Sequence, residues 1–264
     1  MVARAHSLPG RSVREGAAHD MHRALPEETP VALVYNGSTQ AVMMATPDDL
    51  ADFGIGFSLT EGIVRDAAEV ESLDVLTHDS GVEVQMWLAE DRATAMAARR
   101  RQMMGPVGCG LCGIDSLDEA LRPLPQVAAD LHMTAAEIDA AMDGLAARQP
   151  LHDQTRAVHA AGFYRPGTGI IAAREDVGRH NALDKLIGAL ATAGEGAATG
   201  AIVITSRISV DMVQKCVIAG APVLIAASAP TAHAVRIANA AGLTLVGLAR
   251  GRGFDIFTHP ERIV

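Results

Sequence analysis

From position 201 onward the chain alternates short, uninterrupted apolar runs with helix-length amphipathic stretches, a pattern few architectures can satisfy. Residues 201–205, 222–227 and 243–248 read as strands. Residues 210–219 and 231–241 read as helices, closed by Gly220 and Gly242. A strand without polar alternation is buried on both faces, and short links between strands and helices favour parallel crossovers. The expectation is an α/β domain with a mostly parallel sheet covered by helices.

The first half has a different texture. Residues 1–25 are polar with scattered Arg and His and read as a flexible N-terminal tail. Residues 31–35 and 40–45 form a hairpin around Asn36-Gly37, a pair that accepts the positive φ of a tight turn. Thr46-Pro47-Asp48-Asp49 carries the marks of a helix start, with Thr46 as N-cap, and that helix runs to Glu61-Gly62. A second hairpin is predicted over 70–76 and 81–88, and a helix over 89–101 ending in Arg99-Arg100-Arg101. Thr134 with Glu137 forms a capping box for a helix over 134–148. With a boundary near Pro123-Pro125, the chain divides into a tail (1–25), a smaller N-terminal α+β domain (26–128) and a ligand-binding α/β domain (129–264).

Composition excludes several function classes. Aromatics are 3% of the chain and its formal net charge is −9, which argues against nucleic acid as a partner. No run is apolar and long enough to span a membrane, and the N-terminus lacks the apolar core of a secretory signal. The three cysteines are too few and too unevenly spaced for a disulfide framework, so a cytoplasmic protein with reduced thiols is expected.

In open parallel sheets ligands bind beyond the carboxyl ends of the strands. Here those ends read Thr205-Ser206-Arg207-Ile208-Ser209, Ser228-Ala229-Pro230-Thr231 and Arg250-Gly251-Arg252-Gly253. Ser206, Arg207, Ser228 and Thr231 would meet the third loop at one edge, where helix N-termini offer N–H groups and Arg offers bidentate contacts to an anion. A phosphate-bearing nucleotide is the expected ligand; ordinary loop residues are the plainer reading. Neither a Walker A loop nor a complete dinucleotide fingerprint is present.

Cys109 and Cys112 form a C-x-x-C within the glycine-rich loop 105–113. The spacing leaves three readings open: half of a zinc site, a dithiol redox pair, or a sulfur carrier that holds a persulfide. A zinc deaminase does not fit. His259-Pro260-Glu261 has the H-x-E form but follows the cysteines, and Pro106 is not adjacent to Cys109.

The block Glu175-Asp176-Val177-Gly178-Arg179-His180-Asn181-Ala182-Leu183-Asp184-Lys185 resembles the FdhD family of formate dehydrogenase accessory sulfurtransferases. Cys109-Gly110-Leu111-Cys112-Gly113, Ser228-Ala229-Pro230-Thr231 and Thr258-His259-Pro260-Glu261-Arg262 extend the likeness over about residues 29–264. The resemblance implies a cytoplasmic homodimer with a cytidine-deaminase-like α/β domain. It implies a sulfurtransferase passing sulfur from a cysteine desulfurase to the molybdenum bis(molybdopterin guanine dinucleotide) cofactor of its client, formate dehydrogenase. Cys109 would carry the persulfide, with Cys112 beside it. Leu248, Ala249, Arg250, Gly251, Arg252 and Gly253 would bind the cofactor, with GDP as a surrogate ligand and no metal of the protein's own. A cofactor-binding chaperone without sulfur transfer, or a zinc-stabilised interaction module, is the alternative. The chain departs from the family pattern before Ser209 and in the segment 231–235, which puts fine ligand contacts in doubt.

His180 and Asp184, four apart, share a helix face and with Asn181 and Lys185 either line a pocket or form a structural network with Asp176 as N-cap. Cys216 reads as a core thiol, and Met43 and Met44 as core rather than ligands.

Overall fold

The computed structural model describes residues 3–89, 92 and 123–264. The predicted helix over 89–101 and the loop with Cys109 and Cys112 lie outside the described residues.

The segment read as a tail is a hairpin instead, with strand β1 (Ala5–Arg14) antiparallel to β2 (Ala17–Pro26). Glu15 and Gly16 make its turn, both at positive φ. Neither face of this ribbon is buried, so its strands carry no apolar alternation by which they could be read.

The next unit is a four-stranded sheet in the order β4-β3-β6-β5. Strands β3 (Thr29–Tyr35) and β4 (Ser38–Ala45) form the expected hairpin, with Asn36 and Gly37 at positive φ. Strands β5 (Val70–His78) and β6 (Gly81–Leu88) form the second hairpin, and β6 joins β3 in parallel. Helix α1 (Leu50–Thr60) crosses between the hairpins and packs Phe53 against Leu33, Val84 and Met86. Its start differs from expectation: Asp49 is the N-cap, without a side-chain cap bond, because Thr46 is drawn away into a buried network.

The remaining chain is a three-layer unit. Helix α2 (Ala135–Ala146) begins with the predicted capping box at Thr134 and Glu137. Then follow α3 (Pro150–Thr155), β7 (His159–Arg165), β8 (Gly169–Asp176), α4 (Arg179–Thr192), β9 (Ala201–Ile204), α5 (Val210–Ile218), β10 (Val223–Ala226), α6 (Ala232–Ala241), β11 (Thr244–Arg250) and β12 (Gly253–Thr258).

The sheet order is β12-β11-β10-β9-β7-β8. Only β9, β10 and β11 pair in parallel; β7 meets both β8 and β9 antiparallel, and β12 returns antiparallel on β11. The expected mostly parallel sheet is therefore a mixed sheet, and the fold is α/β with mixed sheets. The cause is two hairpins flanking the parallel centre. One of them turns on Gly251 and Arg252, both at positive φ, inside the stretch read as a loop.

Each step from β8 to β9, β10 and β11 moves the same way across the sheet. Right-handed crossovers then put α4, α5 and α6 on one face. Leu183, Leu186, Met212, Val213, Ala234 and Ala238 from those helices share a core with Ile202, Ile204 and Leu224. Helix α2 covers the other face through Ile138, Ala141 and Leu145.

The two units meet at α1 and α4. A Cβ on Gly56 would lie 1.7 Å from the Asp184 carbonyl oxygen, and one on Gly188 would lie 1.9 Å from that of Asp52. The helices thus touch backbone to backbone, a separation only glycine permits.

Candidate functional site

Asn181, Asp184, Lys185 and Gly188 repeat at i, i+3, i+4, i+7, so they form one stripe of α4. The stripe faces the N-terminal unit and is buried. Asn181 Nδ2 donates to the Met44 carbonyl at 2.8 Å and to Asp176 Oδ1 at 3.0 Å. Lys185 Nζ donates to the Thr46 carbonyl at 2.9 Å and sits 2.7 Å from Asp176 Oδ2. The Thr46 N–H donates to Asp176 Oδ2, and its hydroxyl accepts from the Val177 N–H. The structural-network reading therefore holds for these residues. Asp176 is not the N-cap of α4; Gly178 is, and it donates its N–H to the Asp176 carboxylate at 2.7 Å.

A second buried charge group lies one turn along. Lys215 Nζ reaches Asp184 Oδ1 at 2.9 Å, Thr60 Oγ1 at 2.9 Å and Glu61 Oε1 at 3.1 Å. Burial pulls the Lys215 ammonium toward neutrality, but the carboxylates of Asp184 and Glu61 outweigh it and hold its pKa above the ordinary lysine value. Lys215 and Glu61 were not legible as partners, because 154 residues separate them. The stripe of polar residues at helical spacing in α4 was the available signal that this helix buries more than one face.

His180 begins that same helix but takes no part in either group. Its Nε2, the Nε of Arg179 and the Oγ of Ser209 are buried without a hydrogen-bond partner among the described residues. Burial first, and then the Arg179 guanidinium, lower the His180 pKa to about 4. Burial and Arg179 also lower that of His159. An imidazole of folded pKa about 4 and unfolded pKa about 6.5 supports the fold fully above the unfolded value and loses that support as pH falls toward the folded one. Urea midpoints are therefore expected to drop between those two pH values, and His180→Gln is expected to flatten part of that slope. An unchanged slope in the variant would contradict a buried neutral His180.

The predicted strand-end edge is assembled in part. The Ile208 N–H donates to the Ala229 carbonyl at 3.3 Å, the Thr231 N–H to that of Ile208 at 3.0 Å, and the Leu248 N–H to that of Ser228 at 3.2 Å. Ser206, Arg207, Ser228, Thr231 and Leu248 thus belong to neighbouring strand ends. Ser206 is buried and donates to the Arg207 carbonyl, while Thr231 caps α6 as expected by accepting from Ala234. Arg207 and Arg250 are exposed, and Leu248 is an exposed bulge residue at φ 54°. Ala249 is buried in the core facing α2. Arg252 turns away to the opposite face, 3.8 Å from Asp139 and 3.6 Å from Asp143. His259, weighed for deaminase chemistry, joins Glu261 and the Asn239 carbonyl at the end of the chain.

Cys216 lies in the core with its thiol pKa pushed up by burial. A buried, protonated thiol is inert toward exchange.

The family model described as "FdhD/NarQ family" matches residues 26–264. The chain belongs to the FdhD/NarQ family. Among similar family members, the "Sulfur carrier protein FdhD" of Agrobacterium fabrum is 53% identical over 256 residues, covering 96% of this chain and 94% of that protein. The protein of the same name from Brucella abortus is 56% identical over 252 residues, covering 95% of this chain and 94% of its own length. A crystal structure described as that of a formate dehydrogenase accessory protein from Desulfotalea psychrophila aligns with a TM-score of 0.79 at 27% identity, covering 99% of this chain and all of that one. Among the described residues no helix is long and apolar enough to cross a membrane.

Proposed function

We infer that this FdhD/NarQ family member is a sulfur carrier serving formate dehydrogenase, acting in the cytoplasm as a sulfurtransferase with Cys109 as the carrier thiol. The observation that carries the reading concerns the cysteines. Of the three in the chain, Cys216 is sealed in the core, which leaves the C-x-x-C pair for sulfur chemistry. The names of the Agrobacterium and Brucella relatives support the same role.

In the proposed step the Cys109 thiolate attacks the outer sulfur of a persulfide on a cysteine desulfurase. The donor's S–S bond breaks, and its cysteine leaves as a thiolate with the electron pair. The Cys112 thiolate would then attack the inner sulfur of the Cys109 persulfide, forming a Cys109–Cys112 disulfide and releasing the outer sulfur at the sulfide level to the molybdenum bound to two molybdopterin guanine dinucleotides, which is cargo here rather than a resident group; a thiol reductant then restores the cysteine pair. Ser206, Arg207, Ser228, Thr231, Leu248, Arg250 and the backbone of 251–253 would hold its guanine nucleotide arms, with GDP as the soluble probe. A homodimer and a cytidine-deaminase-like arrangement of the α/β unit belong to the same proposal.

The test is intact-mass spectrometry after incubation with a cysteine desulfurase and cysteine. Wild type and Cys112→Ala are expected to gain the mass of sulfur, and Cys109→Ala is expected to gain none. No gain in the wild type would sink sulfur transfer and leave a cofactor-binding chaperone.

A further inference from the structure

We propose that Arg179, His180 and Ser209 form a binding site for a small monoanionic sulfur species, free hydrosulfide or the terminal sulfur of a persulfide, between the first turns of α4 and α5. The proposal rests on the sulfur-carrier reading and adds to it a reception point separate from the carrier cysteine.

Three side chains supply the primary observation. Arg179 Nε, His180 Nε2 and Ser209 Oγ are all shut off from water, and none has a hydrogen-bond partner among the described residues. Buried polar groups are nearly always paired, so three orphans at two adjoining helix starts require a reason. Topology puts them at one end of the molecule. β8 and β9 point the same way, since each is antiparallel to β7, so α4 and α5, which follow them, also run side by side in the same sense. The bond from Lys215 to Asp184 sets their register. One turn toward the N-terminus lie His180 on α4 and Asp211 on α5, and Asp211 bears electrostatically on His180. Ser209 is the N-cap of α5, two residues before Asp211. The charge of Arg179 acts on both His180 and His159, the latter at the start of β7 beside Thr205.

The surroundings select the ligand. Neither α4 nor α5 has a side-chain cap, whereas Thr134 and Thr231 cap α2 and α6. Both starts therefore present the partial positive charge of a first turn that its own N-cap side chain does not meet. The guanidinium adds a full positive charge, and a neutral imidazole and a hydroxyl each offer a further donor. Asp211 and Glu61 on one side and Lys215 on the other also act on His180, so beside the Arg179 guanidinium the surplus positive charge is small, and a singly charged, weakly hydrated sulfur anion fits it better than a doubly charged phosphate.

The test uses the full chain under anaerobic conditions and follows the imidazole NMR signals of His180. Sodium hydrosulfide, glutathione persulfide and inorganic phosphate are titrated in parallel. A saturable His180 shift with either sulfur species, weakened at least tenfold in Arg179→Gln and Ser209→Ala, is the expected result. Hydrosulfide alone sufficing identifies the free anion as ligand; a response only to glutathione persulfide identifies the terminal sulfur. No shift with either, or an equal shift with phosphate, overturns the proposal. Urea midpoints confirm that each variant is folded, and Arg179→Lys serves where Arg179→Gln is not. The mass measurement on Cys109 separates the two readings. If Cys109 loads while His180 stays silent, this site is wrong and the carrier role stands. If His180 responds while Cys109 does not load, the site stands and the carrier role falls.

Discussion

Gly188→Ala is expected to unfold the protein at a much lower urea concentration than wild type, with Gly56→Ala behaving alike. An added Cβ at either position would lie within 2 Å of a carbonyl oxygen, at 1.9 Å from Asp52 or 1.7 Å from Asp184. A helix backbone cannot retreat as a side-chain tip can, so α1 and α4 must separate. Overpacking in a close-packed core costs roughly 1–3 kcal/mol, and contacts against backbone fall at or above the top of that range. Separation would also stretch the bonds that cross this seam, from Lys185 to Thr46, Asn181 to Met44 and Thr60 to Asp184. Gly196→Ala is the control: nothing lies within 4 Å of the added Cβ and its φ of −83° suits alanine. It is expected to change stability by less than about 0.5 kcal/mol. Gly188→Ala unfolding at the wild-type midpoint would refute the backbone-to-backbone seam.

The second large effect is expected at the buried ion pair. Lys215→Met leaves the Asp184 carboxylate in the core with only the Thr60 hydroxyl for a partner among the bonds described above. Removing one member of a buried pair costs about 3–5 kcal/mol, since the other charge stays uncompensated. Replacing both, as Lys215→Met with Asp184→Leu, removes the stranded charge and is expected to recover much of that loss. Urea denaturation of the two single variants and the double variant measures the coupling. Losses that simply add would show that the pair does not act as a unit. The pH dependence has a defined sign. With its folded pKa above the ordinary lysine value, Lys215 contributes fully below about pH 10.4 and loses that contribution as pH rises through the folded pKa.

These two predictions concern the seam between the units, which was the least legible part of the chain. The α4 sequence shows Asn181, Asp184 and Lys185 at helical spacing, yet a polar stripe reads as solvated or pocket-lining until its partners are known. Those partners, Met44, Thr46, Thr60 and Lys215, lie 31 to 139 residues away. The same distance hid the fate of Thr46. Its local context marks an N-cap, but its hydroxyl is claimed by the Val177 N–H 131 residues on. Short-range chemistry was lost there to a buried tertiary bond.

Where local rules had no competitor they held. The Asn36-Gly37 turn, the Thr134 and Glu137 capping box, the Thr231 cap and the left-handed Gly242 at the end of α6 all depend on neighbours a few residues away. The sequence alone also determined the alternation of strands and helices after residue 200, because continuous apolar runs and closing glycines are local signals. Tertiary structure alone decided that the sheet is mixed. Strand direction depends on which neighbour a strand bonds, and β7, β8 and β12 carry no mark of that choice. It alone decided that Arg252 leaves the strand-end edge for Asp139 and Asp143, since a bulge and a two-residue turn set its direction. It alone left Arg179 Nε, His180 Nε2 and Ser209 Oγ without a partner among the described residues, because whether a buried polar atom is satisfied depends on everything packed around it.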